Sequence, residues 1–392
     1  MGESIKDRVA IVGMGCCKFG ERWDTGPDDL LVESCFEAFE DAGIEPKDIQ
    51  AAWFGTTALA TGQPLAQAIK LEYIPITRVE NACATSTDAL MNACFAVAAG
   101  VYDIVLVAGV EKLKDSGVGY LTGGEGQPTS QITPPVPPPV QFALAANRYF
   151  YQYGISLEEG KRLLAMIDVK NHHNGSLNPK AHFQREITIE QAINAPMMAF
   201  PLGLYDCCGV SDGSAAAIVT RPDIAKSMRN DYILCKGLGL SVGGMQGMLR
   251  EYYDFVHFDE TVTAGKMAYE QAGIKNPREE VDLAEVHDCF SITELIIYED
   301  MGWSPRGRAK EDIESGFFTL EGGLAVNPDG GLKSFGHPIG ASGLRMLYEV
   351  YKQLQGKAGP RQLKKADIGL THNLGGRPGS FSCGVSIWGR KS

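Results

Sequence analysis

The sequence predicts an α/β protein made of two similar β/α halves with a loop-rich region inserted between them. Three observations carry this prediction. A seven-residue phrase, Ala38-Phe-Glu-Asp-Ala-Gly-Ile44, returns as Ala268-Tyr-Glu-Gln-Ala-Gly-Ile274. Short apolar runs follow helical patterns in the same order around both copies. Between them, Gly123 to Pro139 is rich in glycine and proline and closes on Pro134-Pro-Val-Pro-Pro-Pro139, which neither a central strand nor a helix interior accepts.

The elements can be justified in turn. Val9-Ala-Ile-Val12 reads as a buried strand, and Gly13-Met-Gly15 as a tight turn after it. A dinucleotide-binding loop would need a third glycine at position 18, where Lys18 stands, so that function is set aside. Each copy of the repeated phrase ends a helix on a glycine stop and leads into an apolar run, Ala51–Phe54 in one and Val281–Val286 in the other. The stretch from Ala93 to Val110 is broken by Gly100 and Asp103 into a buried helix and a buried strand. Asp103-Ile-Val-Leu and Asp367-Ile-Gly-Leu then open strand-like runs after long helices, a second echo that favours duplication over chance. The halves are placed at residues 1–120 and 250–392. The inserted region, 121–249, carries helical patterns over Ala143–Gly154 and Leu157–Gly175 and is expected to cover the mouth of a site.

Composition narrows the function. The 392 residues are 44% hydrophobic, ample for a packed core, yet no apolar stretch reaches the ~20 residues of a membrane-spanning helix. A net charge of −12 argues against a general nucleic-acid binder while leaving room for a local basic pocket. Ten cysteines without a C-x-x-C pair suit neither a disulfide scaffold nor a zinc ribbon, so a reducing cytoplasm is expected. Met1–Arg8 is polar and charged, so no secretory signal is expected.

Four segments carry chemistry. Cys83, in Val79-Glu-Asn-Ala-Cys83-Ala-Thr-Ser-Thr-Asp88, stands just before a helix through Ala89–Ala99 that Thr85 or Ser86 can cap. The positive end of that helix would favour a thiolate, the form of cysteine that accepts acyl groups; by itself the position equally suits a buried structural cysteine. His337 lies in Gly336-His337-Pro338-Ile-Gly340-Ala-Ser342-Gly343, a rigid turn before a helix over Leu344–Leu354. It can take a thiol proton or serve only in turn packing. In Val286-His287-Asp288-Cys289-Phe290-Ser291, His287 can polarise a thioester oxygen and Cys289 can shuttle a proton. A zinc site is the other reading of His287 and Cys289, but two soft ligands without a partner pair argue against it. The fourth segment, Thr371-His-Asn373-Leu-Gly375-Gly376-Arg377-Pro-Gly379, reads as a glycine-rich turn after the strand Asp367–Leu370. Its exposed amides can donate to an oxyanion, or it is an ordinary tight turn.

Taken in order, N-A-C-A-T, H-D-C-F, G-H-P-x-G-A-S-G and the N-L-G-G tail resemble the thiolase superfamily, in particular the sterol-carrier-protein-type thiolases and their archaeal and bacterial relatives. The resemblance spans nearly the whole chain. It implies the thiolase fold, a five-layer α-β-α-β-α core, and homodimers. It further implies that Cys83 is acylated, that His337 activates it, and that His287 and His337 bind the thioester oxygen of the enolate-forming partner. The amides of Cys83 and Gly375 would form a second oxyanion hole. Common thiolases carry a second catalytic cysteine where Asn373 stands, and Cys289 would inherit that role. Coenzyme A is the implied co-substrate, with no permanently bound cofactor. A small zinc-ribbon/OB-fold partner is implied for this subtype, with Pro134–Pro139 a candidate contact. Arg377 departs from the small residues usual in the tail and can pair with a carboxylate on the acyl chain. A bulky, aromatic or carboxylated 3-oxoacyl-CoA such as benzoylsuccinyl-CoA is therefore an expected substrate. The alternatives are an acetoacetyl-CoA-forming biosynthetic thiolase, a decarboxylating ketoacyl synthase and a non-catalytic acyl-CoA-binding scaffold.

Overall fold

The computed structural model describes residues 4–116, 136–249 and 253–391. The glycine- and proline-rich run lies outside the described residues up to Pro135. Among the described residues no helix is long and apolar enough to cross a membrane.

Twelve strands are β1 (Ala10–Cys16), β2 (Ala51–Gly55), β3 (Ile76–Val79), β4 (Ile104–Glu111), β5 (Met197–Ala199), β6 (Leu202–Gly203), β7 (Gly213–Thr220), β8 (Ile233–Val242), β9 (Leu283–Glu285), β10 (Ala325–Val326), β11 (Ile368–Arg377) and β12 (Ser380–Arg390). All but the small β5–β6 hairpin join one sheet in the order β10-β9-β11-β12-β8-β1-β7-β4-β2-β3. The sheet is two copies of one pattern. In the first, β2 runs parallel to β3 and β4, and β7 lies antiparallel to both β4 and β1. In the second, β9 runs parallel to β10 and β11, and β12 lies antiparallel to both β11 and β8. The halves join through a short antiparallel contact, Ala10 with Leu234 and Ile11 with Ile233. Strand β7 therefore returns from the inserted region to complete the first half, and β8 begins the second.

The helices that position the site are α1 (Pro27–Ala42), α2 (Gln63–Ile69), α3 (Thr85–Ala98), α4 (Pro138–Tyr153), α5 (Leu157–Ser176), α6 (Asp259–Ala272), α7 (Ser291–Asp300) and α8 (Ser342–Leu354). Helix α1 covers the outer face of the first half and α6 that of the second. Helices α3 and α8 pack on each other between the halves; α3 reaches β12 and α8 reaches β7 and β1, which gives the α-β-α-β-α layering. A helix with sheet on both sides has no solvent face, and in α8 every residue but Lys352 is buried. The apolar core forms two large clusters, one centred on the first half and reaching β8 and α8, the other joining the rest of the second half to α4 and α5.

The Gly13-Met-Gly15 phrase differs from its expected form. Both glycines lie inside β1 rather than in a turn. A Cβ at Gly13 would sit 2.4 Å from the Ala38 carbonyl oxygen, and one at Gly15 1.9 Å from that of Ser34. The second half repeats the device in β8: a Cβ at Gly237 would lie 2.2 Å from the Ala268 oxygen and one at Gly239 2.0 Å from that of Ala264. Missing side chains let each outer helix lie directly on its strand. The repeated phrase that begins at Ala38 and at Ala268 is the helix side of this contact.

Candidate active site

Cys83 sits in a tight turn between β3 and α3. Ala82 adopts the left-handed region, φ 49°, costly for a residue with a side chain. The turn is held because the Ala82 amide donates to Glu80 Oε1 at 2.7 Å and Thr85 Oγ1 donates to the Ala82 carbonyl at 2.5 Å. Asn81 adds a tie, its amide donating to Thr85 Oγ1 at 2.9 Å. Thr85 thus braces the turn instead of capping the helix; Ala84 holds the cap position and makes no side-chain cap bond. Ser86 Oγ instead accepts the Leu344 amide of α8 at 3.2 Å.

His337 occupies the equivalent place in the second half, just before α8. Its Nε2 lies 3.2 Å from Cys83 Sγ and its Nδ1 2.7 Å from Ser342 Oγ. Ser342 donates its own hydroxyl proton to the Pro338 carbonyl at 2.9 Å, so its oxygen accepts from Nδ1–H. That leaves the Nε2 lone pair facing the thiol, the tautomer a base requires. Glu111, at the end of β4, anchors this turn by accepting the Gly340 amide at 3.0 Å while also binding Thr56, Thr57 and Ala58. Burial, assisted by the Arg345 charge, holds the His337 imidazole down at about 3. Burial also pushes the Cys83 thiol upward despite its place before a helix start. The resting pair is therefore neutral thiol and neutral imidazole. Desolvation thus opposes the preference for a thiolate that the helix end by itself supplies.

His287 and Cys289 lie on the loop between β9 and α7. The His287 and His337 rings meet edge to face, centroids 5.2 Å apart. The ligand atoms of Cys83, His287 and His337 all lie within 4.8 Å of one another. Cys289 Sγ is 3.6 Å from Thr293 Oγ1, and its pKa is raised chiefly by burial, with the Cys83 sulfur adding to the rise. Asp288, between them, faces away and ties the loop down by accepting the Leu332 amide at 2.6 Å and Asn171 Nδ2 at 2.9 Å.

Gly375 lies within β11, paired with Ser382, because the strand runs on to Arg377 and the turn comes only afterwards. The bare Gly375 faces the nucleophile's turn: a Cβ there would lie 2.7 Å from the Cys83 backbone nitrogen. Arg377 is exposed at the end of β11, paired across the turn with Ser380.

The sequence marked Asn373 only as the place of a second cysteine in common thiolases, and it gave Cys208 no part in the site. Asn373, fully buried, donates from Nδ2 to His287 Nδ1 at 3.2 Å while its Oδ1 accepts from Thr87 Oγ1 at 3.3 Å. Its neighbour Gly375 drew attention to this segment, but nothing in the sequence points Asn373 at His287. Cys208 donates its amide to the Cys289 carbonyl at 2.9 Å, and its sulfur contributes to the rise of the Cys83 thiol. The Cys207-Cys208 doublet was its visible signal.

A duplicated α/β fold with a cysteine before one inner helix, a histidine before the other and a second histidine between them is the design of an acyl-transferring enzyme of the thiolase class. The thiolase N-terminal domain family matches residues 9–223, and the thiolase C-terminal domain-like family matches 245–386. An acetyl-CoA acetyltransferase of Methanothermobacter thermautotrophicus is 38% identical over 97% of this chain and 99% of its own length. The benzoylsuccinyl-CoA thiolase subunit BbsB of Thauera aromatica is 32% identical over 95% of this chain and 96% of its own. Among solved structures, the Ltp2-ChsH2(DUF35) aldolase superposes with a TM-score of 0.85 at 25% identity, covering 99% of each chain. The chain belongs to the thiolase family, in its sterol-carrier-protein-like branch, and is an acyltransferase.

Proposed function

We propose that this enzyme cleaves or forms 3-oxoacyl-CoA through an acyl thioester on Cys83. The observation that carries the reading is the 3.2 Å contact between Cys83 Sγ and an imidazole whose other nitrogen is committed to Ser342. In cleavage, Cys83 Sγ attacks the 3-oxo carbon and its proton passes to His337 Nε2. The bond between carbons 2 and 3 breaks, its electron pair moving into the enolate of the shorter CoA ester. His287 and His337 hold that enolate oxygen, and Cys289 protonates carbon 2. Coenzyme A then attacks the thioester, giving its proton to the Cys289 thiolate, and Cys83 recovers its own from His337. Synthesis is the reverse. The amides of Cys83 and Gly375 serve the tetrahedral oxyanion, and their backbone proximity supports this. Incubation with a 3-oxoacyl-CoA, followed by mass spectrometry of peptides, should place one acyl group on Cys83; an unmodified Cys83 with every thioester tried would refute the proposal.

For the substrate, exposed Arg377, two residues beyond Gly375, supports a carboxylated acyl chain, the class that the name of the Thauera relative contains. Arg377→Ala should then lower kcat/KM for a carboxylated 3-oxoacyl-CoA about tenfold or more relative to an uncharged one, consistent with loss of a charge-assisted pair. An unchanged ratio would favour the second reading, acetoacetyl-CoA, which the names of the archaeal acetyltransferase relatives support.

Two further features belong to the proposal. Strand β3, only four residues long, is an unpaired sheet edge among the described residues and suits a homodimer contact. A small zinc-ribbon/OB-fold subunit is proposed as a second partner, supported by a solved neighbour that is itself a complex with a DUF35 protein. Of the expected halves, 1–120 and 250–392, and the insertion, 121–249, β7 is proposed to belong with the first half and β8 with the second, which their pairing in the sheet supports.

A further inference from the structure

We infer that Cys83, His287 and His337 form a three-donor binding site for a borderline-soft divalent cation, Zn2+ foremost, whose occupation blocks the nucleophile. One sulfur and two imidazoles, drawn from three separate loops, bring their ligand atoms within 4.8 Å of one another. A tetrahedral zinc ion with bonds of about 2.3 Å to sulfur and about 2.0 Å to nitrogen spaces those two ligands about 3.5 Å apart, so on binding the 3.2 Å between Cys83 Sγ and His337 Nε2 opens slightly and any wider pair closes. The sequence argued against zinc because His287 and Cys289 lack a partner pair. The folded chain supplies a different set, in which Cys289 is turned toward Thr293 and the missing ligands come from residues 83 and 337.

The surroundings also suit a metal. Ligating imidazoles are oriented by a bond at the far ring nitrogen. His337 has this in Ser342 at 2.7 Å and His287 in Asn373 at 3.2 Å. On binding, Cys83 releases its thiol proton and each histidine lends Nε2. His287 then carries its proton at Nδ1, and a half-turn of the Asn373 amide presents Oδ1 to it and Nδ2 to the Thr87 hydroxyl. Three protein donors leave a tetrahedral ion one position for water or an incoming thiol. The inhibitory consequence rests on Cys83 being the acylated residue; the binding itself does not.

Co2+ titration of the purified full chain is the test. One ion per chain should give the visible bands of tetrahedral cobalt together with a thiolate charge-transfer band. Both should vanish in Cys83→Ser, and His337→Gln and His287→Gln, checked for folding by circular dichroism, should each weaken binding at least roughly tenfold. Asn373→Asp, which offers His287 an anionic acceptor, should tighten Co2+ about tenfold. An octahedral spectrum without charge transfer, or binding indifferent to all three ligand variants, would overturn the inference. If Co2+ binds as stated but no thioester ever acylates Cys83, the proposed function falls and the metal site stands; if Cys83 acylates and Co2+ ignores it, the reverse holds.

Discussion

Asn373 and Ser342 decide what two otherwise similar histidines can do. Ser342 leaves His337 a bare Nε2 toward Cys83, whereas Asn373 donates to His287 Nδ1 and so places the His287 proton on Nε2, where it can reach an oxyanion. Asn373→Leu removes that donor at a fully buried position. It should lower the rate of carbon–carbon bond formation roughly 10–100-fold, as removal of a group orienting a reactive histidine does, while the single-turnover acylation of Cys83 stays near wild type. Quenched-flow mass spectrometry separates the two steps, and equal losses in both would remove the assigned role. The pH dependence follows from His337. With its imidazole held at about 3 against an ordinary 6.5, it stays a neutral base, so acylation should show no inflection near 6.5. The sign for stability is the opposite of a salt-bridged histidine. The unfolded chain takes up a proton below 6.5 that the folded site refuses until about 3, so stability is full above 6.5 and falls with decreasing pH. Between pH 6.5 and 5 the wild type should lose about 2 kcal/mol more than His337→Gln in urea unfolding.

The G-x-G strands and the outer helices show where sequence reading stops at the scale of elements. The repeated phrases at Ala38 and Ala268 were legible because their spacing lies within one helix and one cap. The role of Gly13-Met-Gly15 was not, since a local rule assigns such glycines to turns, and only the approach of α1 shows that they make room for backbone. Gly237-Leu-Gly239 repeats the phrase in β8 and was a signal available for the second half. Gly237→Ala would place a methyl 2.2 Å from the Ala268 carbonyl oxygen, a contact that only a shift of strand or helix backbone can relieve. It should destabilise the protein by about 1–3 kcal/mol, as overpacking does; a urea midpoint within error of wild type would show that α6 can lift away cheaply. The tail was misread for a related reason: glycines at 375 and 376 look like a turn, yet pairing of Gly375 with Ser382 keeps β11 extended.

At the scale of the molecule, duplication explains where the site lies. Cys83 precedes α3 and His337 precedes α8, the matching inner helices of the two halves, so the packing of α3 on α8 brings them together. The open edge at β3 makes a whole-molecule prediction: sedimentation equilibrium should give a mass twice the 42.3 kDa chain. A monomer at micromolar concentration would mean that this edge is covered in another way.

Periodicity and the repeated phrases were enough to settle the α/β class and the doubling of the fold, and four short motifs supplied the candidate residues of the site, because each is written in neighbouring positions. The neutral resting state of the Cys83–His337 pair, the Asn373 contact that fixes a tautomer, the approach of Cys208 and the gathering of Cys83, His287 and His337 within 4.8 Å were decided only by tertiary structure. They depend on burial and on distances between segments up to 254 residues apart, and no local pattern encodes the water that folding removes.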